Sequence, residues 1–432
     1  MAAEVTLRSH FVVALVFALG LGARGNPASG IPTGQVVPPL QGAPGCLQDF
    51  PALAFPDSRA TVMMCGLDNP RGLAFSGSAL FVAEAGRGGL DFPLIDRKCF
   101  VGQAGGNRCF GPNGAISRLW DSVQEQIATG FPSHAGGSGQ NAIGPNDIAI
   151  LDGAGPRFGL EQPGRAPDCA AGCAYVAIGL QQPPAVRELL IAGVRVFADF
   201  AKLARMNANG AWGYVADLGA YETAHDPDQI FQDPPKLDTN PYGLLAEPGG
   251  ESVLVVDAGA NSLLRVGAAA GRAARDGKGI STRAVFAPHP TSTDDAVPTS
   301  VAVGPDGALY ISELSKLPVT QGIASVYRVT DGASPQVCVS GFTQIMDVAF
   351  DHAGDLYVLE LGGLPTLGLL TRVTPAVGVG HDLCARYAGG TRSVVASGFS
   401  FPTSVAIGPD GAFYVSNRGT SARVGQVIRI QR

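Results

Sequence analysis

Charged residues are scarce in this chain. Asp, Glu, Lys and Arg make up 15% of its 432 residues, and Lys and Arg form no cluster. With a net charge of −6, the chain offers no attraction to phosphate groups. We therefore expect no nucleic-acid partner and no binding to an anionic membrane surface. So few charges also argue against long exposed helices, which need a polar face.

Long hydrophobic runs are also missing. The main apolar run covers residues 11–23, which is too short to span a bilayer. It follows Arg8 and His10 and precedes small residues, a pattern typical of a signal peptide. We predict a signal peptide over 1–25, a Pro/Gly-rich lead-in over 26–58 and a single domain over 59–432. The protein is then expected to be secreted, either periplasmic or extracellular, with no membrane span.

Several familiar site motifs are absent. The sequence has no Gly-x-Ser-x-Gly elbow, no P-loop, no His-Glu-x-x-His and no Cys-x-x-Cys pair. Its eight cysteines favour disulfides in an exported chain, and a zinc site is the alternative. We predict local pairs inside two Gly/Pro-rich insertions and two longer pairs. The predicted pairs are Cys99–Cys109, Cys169–Cys173, Cys46–Cys65 and Cys338–Cys384.

What the sequence does contain is a repeat. The segment VPTSVAVGPDGALYISE, residues 297–313, recurs as FPTSVAIGPDGAFYVSN, residues 401–417. In each copy Gly-Pro-Asp-Gly is a hairpin turn between two strands. Weaker copies place first strands near residues 71, 146, 242, 299, 346 and 403. With four antiparallel strands per unit, the sequence predicts an all-β, six-bladed propeller.

The last unit supplies only three strands before the chain ends. Its third strand would be left with an unpaired edge, which invites aggregation. Residues 60–66 match the fourth strands of other units, so we predict that they close the ring as the outermost strand of the last blade. An open ring or solenoid is the structural alternative.

Phrases throughout residues 60–432 resemble the ScyD/ScyE family. They include Asn69-Pro-Arg-Gly-Leu-Ala-Phe, Val215-Ala-Asp-Leu-Gly-Ala-Tyr-Glu222 and Asn240-Pro-Tyr-Gly-Leu-Leu. The resemblance implies an exported, propeller-like protein and carries no reaction onto particular residues. Relatives usually have His where this chain has Asn146. More distantly, the units are similar to NHL repeats, whose propellers mostly bind partners, and to calcium-dependent lactonase propellers.

Oxygen-bearing side chains recur where strands of the repeat begin or end on one face. In a closed ring they would gather at one mouth of the central channel and favour a hard cation, Ca²⁺ before Mg²⁺. Alternatively, each side chain caps backbone amides or pairs with an arginine such as Arg71 or Arg418, without metal. The candidate ligands are Glu84, Asp147, Asp257, Glu313, Asp347, Glu360 and Asn417.

Three histidines fall in the long connections between blades on this face. His134, His225 and His289 are therefore candidates for a general base, although solvated loop histidines are commoner. The first functional hypothesis is a monomeric binding or scaffolding propeller that holds a protein or small-molecule ligand on the acidic face. The second is a Ca²⁺-dependent hydrolase of a lactone or ester.

Overall fold

The computed structural model describes residues 60–102, 106–151, 173–207, 210–231, 236–247, 252–267, 279–288, 295–315, 319–362, 367–378 and 380–432. The predicted signal peptide, lead-in and Cys46 lie outside these residues, as do Cys169 and His289. Within them, no helix is long and apolar enough to cross a membrane.

The described strands form six antiparallel sheets arranged as the blades of a propeller, which confirms the predicted fold. In every blade the first strand is innermost, and the first strands of neighbouring blades pack on one another around the axis. One strand precedes the first blade, β1 (Ala60–Leu67). Blades 1 to 3 consist of β2 (Pro70–Ser76), β3 (Ala79–Glu84), β4 (Lys98–Val101), β5 (Asn107–Trp120), β6 (Val123–Gly136), β7 (Pro145–Ile150), β8 (Cys173–Ile178), β9 (Lys202–Asn207), β10 (Trp212–Asp217), β11 (Pro241–Ala246), β12 (Ser252–Asp257), β13 (Ser262–Gly267) and β14 (Ile280–Val285).

Blades 4 to 6 follow the same order of strands. They consist of β15 (Pro298–Val303), β16 (Leu309–Glu313), β17 (Ala324–Val329), β18 (Gln336–Phe342), β19 (Ile345–Phe350), β20 (Leu356–Glu360), β21 (Gly368–Thr374), β22 (Thr391–Phe399), β23 (Ser404–Ile407), β24 (Phe413–Asn417) and β25 (Gly425–Ile430). In the described part of the chain, two short α-helices lie in connections, α1 (Leu218–His225) and α2 (Leu383–Ala388).

The ring closes through the N-terminal strand, as predicted. β1 pairs antiparallel with β25, from Ala60 opposite Ile430 to Leu67 opposite Gly425. Met64 and Leu67 are buried in a cluster shared by blades 1 and 6. This pairing gives β25 a partner on the side that would otherwise be an open edge.

The Gly-Pro-Asp-Gly turns adopt the predicted geometry. Gly307 has φ 76°, and its N–H donates to the Gly304 carbonyl at 3.0 Å. A residue lacking Cβ suits this left-handed position. Asp306 accepts from the Ala308 N–H at 3.2 Å and also from Arg328 on β17. The turn therefore ties three strands of the blade together.

Side chains at one equivalent position of the innermost strands, the third residue in every strand but β23, where it is the first, join four of the six blades to the next. Their oxygens accept from backbone N–H groups of the neighbouring blade. Where this position is Gly72, a Cβ would lie 1.7 Å from an Asp147 oxygen, so only glycine fits. The bonds are Leu244 N to Asp147 at 2.7 Å, Val348 N to Ser300 at 3.1 Å, Val405 N to Asp347 at 2.8 Å and Leu73 N to Ser404 at 3.3 Å.

Blade 1 carries an extension formed by the Gly/Pro-rich insertion that contains Cys99 and Cys109. β5 and β6 are 14 residues each and continue beyond the blade, where β4 pairs with β5. A disulfide joins Cys99 to Cys109 across this pair, and a second joins Cys338 to Cys384, as predicted. Cys65 and Cys173 are also disulfide-bonded, with partners outside the described residues.

Candidate metal centre

The acids at the ends of second strands cap backbone amides. In four blades this side chain accepts from a backbone N–H in the connection that enters the blade, 16 or 17 residues earlier. These bonds agree with the capping alternative. The pairs are Glu84 with Asp68 N at 2.6 Å, Asp257 with Asn240 N at 2.6 Å, Glu360 with Thr343 N at 2.7 Å and Asn417 with Ser400 N at 2.8 Å.

Glu313 is held differently, within its own blade. It accepts from the Ser325 N–H at 3.0 Å and from the Tyr327 hydroxyl at 3.4 Å. Burial raises the pKa of Glu313 to about 7. Among the described residues, no three of the six predicted acidic ligands come close enough to share a cation.

Asp147 and Asp347 lie on the innermost strands of blades 2 and 5, which are opposite each other in a ring of six. Each accepts from the N–H of its own following residue and from the next blade. Burial and then the charge of Asp347 raise the pKa of Asp147 well above its ordinary value. The two carboxyls therefore repel one another across the channel.

The structure instead gathers three carboxylates in the connection between blades 2 and 3. Oxygens of Glu222, Asp226 and Asp228 all lie within 4.8 Å of one another. Helix α1 begins where the Asp217 side chain accepts from the Ala220 N–H at 2.8 Å, a normal N-cap. It ends at Asp226, whose left-handed conformation, φ 40°, turns the chain and places Asp228 beside the helix that carries Glu222.

Two members of this acidic triad, Glu222 and Asp228, are buried, and Asp226 is half-buried. Glu222 is 2% exposed, and its Oε1 atom has no hydrogen-bond partner. Burial, followed by the charges of Asp257, Asp228, Asp226 and Asp238, raises the pKa of Glu222 to about 10. Burial likewise raises the pKa of Asp228 to about 7. A cluster of this kind is costly unless a cation neutralises it.

The donor set fits Ca²⁺. Oxygens bound to one Ca²⁺ at about 2.3–2.6 Å can be separated by up to roughly twice that length, which accommodates the observed spacing. The buried Oε1 of Glu222 has no hydrogen-bond partner among the described residues, so a bound cation would not have to displace one. Asn261 orients Asp228 by donating to its Oδ2 at 2.8 Å. Carboxylate oxygens alone favour a hard cation over zinc.

His225 lies at the end of α1, one turn from Glu222 and next to Asp226. Its ring stacks on Tyr221 with centroids 4.1 Å apart, and its Nδ1 lies 2.9 Å from the Tyr221 carbonyl oxygen. A carbonyl oxygen only accepts, so Nδ1 carries the proton of the neutral ring. Nε2 of the exposed side chain is then the free acceptor.

His134 is placed elsewhere and is engaged at both nitrogens. Arg108 Nε donates to its Nδ1 at 2.9 Å, and its Nε2 faces the Leu180 carbonyl at 3.4 Å. Burial and the Arg108 charge lower the pKa of His134 well below its ordinary value. Its ring packs against Phe100, Phe197 and Phe200. Of the two predicted histidines that the structure describes, only His225 lies beside the acidic triad.

A groove of about 590 Å³ begins two residues beyond Asp228. Asn261 connects it to the triad, since its carbonyl accepts from the Phe286 N–H at 2.8 Å just past β14. The volume is in the range of small-molecule sites. Its apolar lining consists of Ile230, Phe231, Val285, Pro288, Tyr327 and Val337.

The sequence pattern did not identify the acidic triad. Glu222 stood at the end of a phrase noted for its family resemblance, and Asp226 and Asp228 had no counterpart in other units. A usable signal is present, because three acids fall within seven residues around His225. Asp257 is the one predicted ligand whose charge acts on Glu222.

The fold is similar to solved structures with distant sequences. A Thermus thermophilus protein described as an oxidoreductase (glucose dehydrogenase) is 16% identical, with a TM-score of 0.50 over 86% of this chain and 99% of that one. A Bacteroides uniformis protein described as a 6-phosphogluconolactonase is 14% identical, with a TM-score of 0.40 over 85% and 82%. A streptogramin B lyase is 13% identical, with a TM-score of 0.39 over 86% and 97%.

The first of these likenesses shows the propeller fold alone, and the other two superpose too loosely to support an argument. No protein-family model matches the sequence, and no curated protein matches it. The ScyD/ScyE resemblance therefore stays a sequence-based expectation, while the six-bladed propeller fold is shown.

Proposed function

We propose that this protein is a Ca²⁺-dependent hydrolase of lactones or esters. The observation that carries the proposal is the acidic triad of Glu222, Asp226 and Asp228, in which one oxygen of the buried Glu222 side chain has no hydrogen-bond partner among the described residues. When bound there, Ca²⁺ would supply Lewis-acid polarisation of a substrate carbonyl. The function expected first from the sequence, binding without chemistry, depended on strand-end acids that are occupied with backbone amides.

His225 is the proposed general base. Because Nδ1 donates to the Tyr221 carbonyl, Nε2 can take a proton from the attacking water. The water oxygen bonds to the carbonyl carbon, the carbon–oxygen bond to the leaving group breaks, and His225 returns the proton to that oxygen. The products are a carboxylic acid and an alcohol, joined in one molecule when the substrate is a lactone.

The apolar groove supports a substrate with a hydrophobic part. It is lined mainly by apolar side chains, including those of Ile230 and Phe231, which follow Asp228 in the chain. The disulfides support action in an oxidising compartment outside the cytosol. We therefore infer an exported enzyme acting on small, partly apolar esters.

Calcium titration and turnover test the proposal together. Saturating Ca²⁺ should stabilise the protein by about 3 kcal/mol at a hundredfold excess over Kd, and hydrolysis of δ-valerolactone or p-nitrophenyl butyrate should require it. Glu222→Gln should lose both effects. His225→Gln should keep the Ca²⁺ response and lose roughly a hundredfold or more in kcat.

Glu188→Gln is the matched control, because the Glu188 side chain is 71% exposed and pairs with Arg195 at the surface. It should keep both effects. An unchanged melting curve at millimolar Ca²⁺ would refute the metal centre. A Ca²⁺ response without any ester turnover would refute the hydrolase and leave a calcium-stabilised binding protein.

A further inference from the structure

Two guanidinium groups at the mouth of the central channel have no carboxylate partner in the described part of the chain. Arg71 is the second residue of β2, on the innermost strand of blade 1, and is 7% exposed. Arg108 lies near the start of β5, on the extension of blade 1, and is half-buried. Burying an arginine without a counter-charge is costly, so each contact they make is informative.

Both groups donate to neutral acceptors of one loop. Arg71 Nη2 reaches the Ala142 carbonyl at 2.7 Å, and Arg108 Nη2 reaches the preceding carbonyl, Asn141, at 2.5 Å. Because these carbonyls belong to consecutive residues, both guanidiniums contact the same short segment of the chain. Burial and the charge of Arg71 lower the pKa of Arg108 to about 10. The two positive charges therefore act on one another, and neither guanidinium has a hydrogen-bonded carboxylate among the described residues.

Arg71 also has a spare donor. Its Nε, although buried, has no acceptor among the described residues. The hydroxyl of Tyr242, the second residue of β11, completes the polar surroundings of the guanidinium. An arginine that presents Nε together with a terminal nitrogen forms the fork that matches a carboxylate.

We propose that the channel mouth binds a small monocarboxylate between Arg71 and Arg108. One anion would neutralise part of the charge and give the spare Nε of Arg71 an acceptor. Asp147 and Asp347 lie one residue further along the innermost strands of blades 2 and 5. Their negative charge disfavours a dianion such as phosphate, which selects a singly charged ligand. The proposal is independent of the acidic triad.

Calorimetric titration of the full chain in EDTA tests it, with sodium acetate, sodium glycolate and inorganic phosphate as probes at neutral pH. A monocarboxylate should bind saturably, at one site, and more weakly as salt increases. Arg71→Gln should weaken binding about tenfold or more. Arg71→Lys should keep only part of the wild-type affinity, because a lysine ammonium cannot make two parallel hydrogen bonds to a carboxylate.

Arg392→Gln is the matched control. Its guanidinium also donates to carbonyl oxygens, those of Ser340 and Gly341, but is exposed and distant from the axis. It should leave the affinity unchanged. Tyr242→Phe, which keeps the ring, should weaken binding severalfold and covers the case in which Arg71→Gln does not fold.

Absence of saturable binding, equal binding by Arg71→Gln, or tighter binding of phosphate than of acetate would each overturn the proposal. These readouts require no metal and no turnover. A failure here therefore leaves the proposed hydrolase unaffected, and a failure of the hydrolase leaves this site unaffected.

Discussion

Replacing Glu222 by Gln should stabilise the metal-free protein at alkaline pH while abolishing its response to Ca²⁺. The carboxyl group has a pKa of about 10 in the folded protein, against an ordinary value of 4.5. At pH 8 the unfolded chain carries it ionised, and folding must protonate it. Glutamine has a similar shape and is uncharged at every pH, so its burial requires no protonation.

The size of the effect follows from the two pKa values. Because the pKa of Glu222 is raised in the folded state, this residue lowers the free energy of unfolding above pH 4.5, and the loss grows until about pH 10. At pH 8 the cost approaches about 5 kcal/mol, taking about 1.4 kcal/mol per pH unit, and at pH 5 it is below about 1 kcal/mol. Glu222 is almost fully buried, so solvent screening reduces this little.

Urea denaturation in EDTA at pH 5 and pH 8 measures the difference. The free energy of unfolding of Glu222→Gln should exceed that of the wild type by several kcal/mol at pH 8 and should equal it at pH 5. In Ca²⁺ the order should reverse, because the wild type alone gains binding energy. Glu188→Gln should follow the wild type throughout. If Glu222→Gln is destabilised in EDTA at pH 8, the assignment of a buried, unneutralised triad is refuted.

Three further predictions concern the scaffold. Met64→Ala, at a fully buried position of β1, should lower the free energy of unfolding by about 2–5 kcal/mol. Thr61→Ala, on the exposed side of the same strand, should change it little. Equal losses for the two variants in chemical denaturation would contradict ring closure. Replacing both Cys338 and Cys384 by Ser opens a 46-residue loop and should lower the free energy of unfolding by about 4 kcal/mol. This difference between variant and wild type must vanish when both are measured under reducing conditions. Asp347→Asn should lower the pKa of Asp147, because it removes a negative charge that disfavours ionisation of Asp147. A carboxyl ¹³C NMR titration that shows no downward shift of this pKa would exclude the coupling.

The repeat made most of the fold predictable. The Gly-Pro-Asp-Gly turns identify hairpins because their backbone conformation depends on few residues. The same periodicity aligned residues 60–66 with other fourth strands, and the missing partner of the last blade left one place for them. Local turn chemistry and the need to cover edges therefore determine the architecture.

The acidic triad lay beyond this reasoning because the repeat does not extend to it. Glu222, Asp226 and Asp228 occupy one connection between blades, and no other unit offers an equivalent to align. Their proximity depends on where α1 ends and on the left-handed conformation of Asp226. The strand-end acids, by contrast, were easy to find and recur because the same backbone capping contact recurs.

The pairing of β1 with β25 also constrains how the protein reaches its native state. Ala60 and Ile430 meet although about 370 residues separate them, so the final blade has a very high contact order. On a ribosome, the strand that emerges first must wait for the strand that emerges last. During that interval β1 exposes an unpaired, partly apolar edge, and we expect refolding in vitro to be slow, concentration-sensitive and improved by a holdase chaperone.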